Sequence, residues 1–195
     1  MTRTAPLLPH TCEHALLEQF LKAESMALRL VRAAQTQDIP QSAIRFLLQH
    51  EEEEHKHLKQ FEELLGTTSQ NTTLPRVPSR WCVLAVHLYG YEALGLEFAS
   101  LLVGVRPDLL SILEDEQGHV RFFENEIRDI LLQEGPLAVE TRCAAQAWRR
   151  RLPRTVDRYL HDQTLAPFRD ELRQVILDAI DGRFAATGLV AAPDL

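Results

Sequence analysis

The sequence predicts an all-α protein, a four-helix bundle with one long crossover and additional C-terminal helices. Three observations predict it. Strand signals are scarce, the long segments space their apolar residues as helices do, and the breaks between them carry Pro, Gly and Asp. Two short-looped helix pairs joined by a longer connection are the layout of such a bundle.

The elements follow in order. A first helix is expected over about residues 11–35, with an apolar stripe of Leu17, Phe20, Leu21, Ala27, Leu28 and Val31. Asp38-Ile39-Pro40 stops it, and Pro40 suits the first turn of a second helix over 40–65 that ends before Gly66. The polar stretch 67–78 reads as the crossover. A third helix is expected over 79–103, with a turn at Gly104 and Pro107-Asp108, and a fourth over 108–133. Gly135-Pro136 opens a fifth helix, expected to break near Pro153, and a sixth covers 167–183 with Leu172, Val175, Ile176 and Ile180 as its stripe. The last eight residues read as a loose tail. The whole chain, 1–195, is expected to be one domain, with a core bundle over about 11–133 and extra helices over about 136–186.

Composition excludes several classes. With 45% hydrophobic and 25% charged residues the chain can bury a core. A net charge of −7 argues against the nucleic-acid backbone as main partner. Cys12, Cys82 and Cys143 lie far apart with no CxxC pair, so a reducing cytoplasm is the expected location. The N-terminus carries no apolar run of signal-peptide length, and no membrane span is expected.

The chemistry is concentrated in a pattern that occurs twice: an acid, then Glu-x-x-His, then Phe four residues further on. It appears as Glu53-Glu54-His55-Lys56-His57 with Phe61, and as Asp115-Glu116-Gln117-Gly118-His119 with Phe123. Residues three apart share a helix face, so each pair presents a carboxylate and an imidazole to one point, a donor set suited to iron or manganese. In the first helix Glu24 lies within the apolar stripe, where a carboxylate without a partner is costly. Glu24 and Glu54 stand at similar distances either side of the 38–39 turn, which puts them at one level in an antiparallel pair. Two alternatives stay open. In the third helix, Glu92 shares a face with Ala85, Tyr89, Leu96, Ala99 and Val103, while Glu97 lies closer to the height of Glu116. In the second helix, Glu52 with His55 is a competing register. In the Glu51–Glu54 run, Glu51 and Glu53 are expected at the surface.

The order Glu, Glu-x-x-His, Glu, Glu-x-x-His resembles the ferritin-like di-iron carboxylate proteins over about residues 11–133. The resemblance implies Glu24, Glu54, His57, Glu92, Glu116 and His119 as ligands of two metal ions, with iron the first choice and manganese the second. It implies Glu54 and Glu116 as bridges, Glu24 and His57 on one ion, and Glu92 and His119 on the other. It further implies an O2-activating oxidoreductase of hydroxylase or oxygenase type. The alternatives are a ferroxidase or peroxide-reducing protein of the ferritin or rubrerythrin kind, and a metal-free interaction module. The expected partners are O2, a small-molecule or carrier-bound substrate and an external electron donor, with no membrane, with nucleic acid disfavoured, and a homodimer is allowed for. Tyr89, beside Glu92, is a candidate redox relay. Gly90, Gly95 and Gly118 each cost about 1 kcal/mol inside a helix, so each is expected to serve close packing or space beside the metals. Asp115 is a candidate for orienting a ligand histidine. The cluster of Trp148, Arg149, Arg150, Arg151, Arg154 and Arg158 is read either as a solvated face pairing with the acidic bundle or as a dock for an anionic substrate or a reductase.

Overall fold

A computed structural model describes residues 6–69 and 76–190. Six long helices account for almost all of them: α1 (Glu13–Gln35), α2 (Gln41–Leu65), α3 (Trp81–Val105), α4 (Leu110–Leu132), α5 (Gly135–Tyr159) and α6 (Arg169–Ala186). Short 3-10 turns lead into α1, α4 and α6, and no strand occurs among the described residues. Part of the expected crossover, 70–75, lies outside them.

The most extensive packing joins α1 to α2 and α3 to α4, and the two hairpins meet through α1 with α3 and α2 with α4. That arrangement is compatible with a four-helix bundle. α2 ends where Gly66 takes φ 63°, a left-handed cap that glycine adopts without Cβ strain. α3 is apolar nearly all round because it is covered nearly all round, touching α1, α4, α5 and α6. It is long and apolar enough to cross a membrane, yet 67% of its apolar window is buried inside the protein. Its burial among four helices explains the composition.

Several expected boundaries move. α3 continues through Gly104 to Val105, so the turn into α4 begins at Arg106. α5 does not break at Pro153. The proline removes one helix hydrogen bond, but Trp148, Leu152 and Val156 are buried around it and hold the helix in place. The tail is not loose where it is described, since Leu189 is fully buried. Leu64, near the C-terminal end of α2, is exposed.

Gly90 explains how closely α5 approaches α3. A Cβ there would lie 2.3 Å from the Trp148 indole, so only glycine admits that ring against the helix backbone.

Candidate metal centre

All six residues put forward as ligands are buried, each at most 4% exposed: Glu24 on α1, Glu54 and His57 on α2, Glu92 on α3, Glu116 and His119 on α4. The spacing explains why. Glu-x-x-His brings both side chains to the inner face of α2 and again of α4, and the apolar stripes around Glu24 and Glu92 turn those acids the same way.

The residues gather in two groups whose potential ligand atoms lie within 4.8 Å of one another. One holds Glu24, Glu54, His57 and Glu116, the other His50, Glu54, Glu92 and His119. Glu54 belongs to both, the position a bridging carboxylate would need. Glu116 belongs to the first group alone.

His50 is the residue that sequence reading missed. It is fully buried, its Nε2 lies 2.9 Å from Glu54 Oε1 and 3.5 Å from Glu92 Oε2, and its ring sits 3.7 Å from that of His119. The signal was present: His50 is four residues before Glu54 and seven before His57, on one α2 face.

The two repeated motifs brace each other. His57 Nε2 lies 3.0 Å from Asp115 Oδ2, and His119 Nε2 lies 2.9 Å from Glu53 Oε2. A carboxylate can only accept here, so each Nε2 donates. In the neutral ring this leaves the Nδ1 lone pair facing inward. The acid preceding each glutamate thus orients the histidine of the opposite helix. Asp115 fills the role expected for it. Glu53 does not belong to the surface as expected: its bond to His119 keeps it half-buried and, with burial and Gln49 as further influences, holds its carboxyl down at about 2.

The alternatives fall away by placement. Glu52 and His55 are exposed. Glu97 turns to α6, where Arg183 Nη2 lies 3.3 Å from Oε1. Tyr89 is buried with its hydroxyl donating to Glu124 Oε1 at 3.1 Å and its ring stacked on Phe184, outside both groups. The tyrosines that face the carboxylates are Tyr91 and Tyr159.

The electrostatics state a problem that cations would solve. Burial, the largest cause in each case, pushes Glu24, Glu54 and Glu116 up to about 8, and neighbouring carboxylates add to it. Burial opposes charge on Glu92 and His50 too, but their mutual attraction wins, holding Glu92 well below the usual carboxylate range and raising His50 to about 9. Among the described residues, the buried side-chain polar atoms without a hydrogen-bond partner are Glu24 Oε2, His50 Nδ1, Glu54 Oε2, His57 Nδ1 and His119 Nδ1. All belong to this cluster, where lone pairs left unmatched are costly. Four ionised carboxylates with neutral imidazoles match the charge of two divalent cations, and mixed oxygen and nitrogen donors suit iron or manganese. The residues present therefore fit a metal pair.

A cavity of about 30 Å³ opens beside the carboxylates, between α1, α3 and the end of α5. Phe20, Ala23, Met26, Ala27, Leu30 and Phe98 give it apolar walls, and Glu24, Glu54, Glu92 and Glu116 border it. That volume holds roughly two water molecules or one diatomic gas molecule. Gly95 borders it too, and a Cβ there would stand 3.0 Å from Glu116 Oε2, so this glycine makes room for a ligand carboxylate. Gly118, expected to serve either close packing or space beside the metals, has nothing within 4 Å of its would-be Cβ. Comparison with protein-family models, curated proteins and solved structures gives no match.

Proposed function

We propose that this chain is a di-iron carboxylate protein of the ferritin-like kind and an O2-activating oxidoreductase of hydroxylase or oxygenase type. The observation that carries the reading is the convergence of two Glu-x-x-His pairs, Glu24 and Glu92 on one buried point where five polar atoms lack partners. Glu24, Glu54, His57, Glu92, Glu116 and His119 would hold the metals, and His50 joins them as a seventh ligand. Iron held there would supply electrons for the reduction of O2, replenished by an external donor.

The chain's own residues have definable tasks. Glu53 and Asp115 hold the Nε2 protons of His119 and His57, keeping each Nδ1 free to coordinate. Glu24, Glu54 and Glu116 retain protons near neutral pH until a cation displaces them. The apolar walls restrict water beside the carboxylates, and Tyr91 and Tyr159 place phenols at the cavity's edge. Burial, followed by the neighbouring Tyr91, raises the Tyr159 phenol, so it stays protonated and able to donate.

A second reading, ferroxidase or peroxide reduction, is favoured by the cavity's size, which is below that of an organic substrate. The test is anaerobic loading with ferrous iron, metal analysis, and then O2 consumption. Wild type is expected to hold about two irons per chain, as the ligand set requires, and to consume O2. Glu54→Ala and His119→Ala are expected to lose iron. Unchanged iron in either variant removes that residue from the site, and a wild type that takes up neither iron nor manganese leaves only the interaction module.

A further inference from the structure

One face of α5 carries Trp148, Arg151, Thr155 and Arg158 at helical spacing, with Leu152 and Arg154 alongside. With Tyr91 from α3 these residues line a pocket of about 470 Å³. Tyr91 also lines the cavity beside the carboxylates, and Tyr159, next to Arg158, lines that cavity as well. One phenol ring is therefore a wall of both spaces.

The charge in this pocket is uncompensated. Arg149, which points the other way, is held bidentate by Asp181 at 2.6 Å, the kind of pairing expected if the cluster were only a solvated face. Arg154 has no hydrogen-bond or ion-pair partner among the described residues. Among the described residues the Arg151 side chain reaches only His87 Nε2, at 3.5 Å, and that of Arg158 only the Thr155 hydroxyl, at 3.3 Å. Burial, and then Arg151 itself, lowers His87 to about 4, so it is neutral and brings no competing charge. Three guanidinium groups without a carboxylate partner among the described residues, in a chain of net charge −7, form a local anion-attracting field. Arginine forks match the planar oxygens of carboxylates and phosphates.

We propose that this pocket binds the carboxylate or phosphate end of an organic substrate whose remainder extends past Tyr91 toward the metal-side cavity. This deepens the oxidoreductase reading and rests on it for the substrate's fate, while the anion site stands on its own geometry. It also accounts for the small cavity: the bulk of the molecule lies in the larger space, and only its reacting end needs to approach the carboxylates. The Gly90–Trp148 contact fits the same purpose, because it draws α5 against α3 and sets the arginines beside Tyr91.

The test measures binding of octanoate, octyl phosphate, inorganic phosphate and octanol to the full chain by calorimetry, with metal content determined on the same samples. The octyl anions are expected to bind and octanol is not. Octanoate against octyl phosphate identifies the preferred headgroup, and inorganic phosphate reports the headgroup alone. Arg154→Gln should weaken the anions about tenfold, since one charge-assisted hydrogen bond is worth about that factor. The triple variant Arg151→Gln/Arg154→Gln/Arg158→Gln should weaken them by about a hundredfold or more. Both variants should keep their metal content and melting temperature. Thr155→Glu, which adds an acid without removing a guanidinium, should give a similar loss. Equal binding of octanol and octanoate, or unchanged anion binding in the triple variant, overturns the proposal. Binding of polyglutamate but of no octyl anion overturns it in favour of an acidic protein partner. Arginine-dependent anion binding in a protein that takes up no metal would sink the oxidoreductase reading and leave the pocket standing.

Discussion

The two halves of the candidate metal centre, α1 with α2 and α3 with α4, are alike in pattern and unlike in one residue. Each half offers a lone glutamate, Glu24 or Glu92, and an acid-Glu-x-x-His run. Four residues before the run's second acid, α2 has His50 and α4 has Ile112, both buried. The group containing His50 therefore has two imidazoles, and the group containing His57 has one. A repeated motif lays down a nearly symmetric frame, and a single extra nitrogen would make the two candidate metal positions chemically different. Nitrogen-richer sites favour the later transition metals more strongly, so the two ions are expected to bind with different affinities.

The largest expected effect comes from erasing that difference. His50→Ile copies the other half into α2. It should weaken one of the two metal positions about a hundredfold, at or above the upper end for losing an outer partner, and should bring two resolved binding steps to one stoichiometric equivalent at limiting metal. Metal titration with calorimetry reads this directly. Two unchanged steps would show that His50 is a packing residue.

A smaller effect should come from the braces that tie the halves together. Glu53→Gln and Asp115→Asn each leave the ligands intact but exchange a charged acceptor for an amide. Each should cost roughly 10–100-fold in metal affinity. The loss should map to the opposite half: Glu53→Gln acts through His119, and Asp115→Asn through His57. Losses confined to the mutated helix's own histidine would refute the crossed arrangement.

The smallest effect is on stability against pH in chelated, metal-free protein. Glu24, Glu54 and Glu116 hold protons up to about 8 and His50 up to about 9. The ordinary values are 4.5 and 6.5. The folded chain thus keeps protons that the unfolded chain releases, so stability present at low pH is lost as pH rises through those folded values. Glu53 and Glu92 act in the opposite sense, but their stabilisation is lost only in strong acid. The melting temperature should fall as pH rises from about 4.5 to about 9. His119 is raised as well and acts in the same sense, and Glu24→Gln, which removes one of the raised carboxylates, should flatten the slope. Bound metal should reverse the trend, because cations must displace those protons. A flat profile without metal would contradict the burial argument.

The sequence by itself pointed to the helices, their order and, with the Glu92 or Glu97 and the Glu54-His57 or Glu52-His55 choices left open, six of the seven clustered candidate ligands. Those properties are local: apolar spacing defines a helix face, and Glu-x-x-His on that face points where the face points. Residues whose role depends on a neighbour across the bundle were settled only by the tertiary structure. His50 became a candidate ligand because α4 placed His119 beside it, and Glu53 left the surface for the same partner. Tyr91, not Tyr89, borders the cavity beside the carboxylates, and because α3 is covered nearly all round its apolar pattern alone could not say which face met the cluster. Pro153 stays inside a helix because Trp148, Leu152 and Val156 pack around it. Periodicity reports which way a side chain points, whereas only the packed helices decide what stands opposite it.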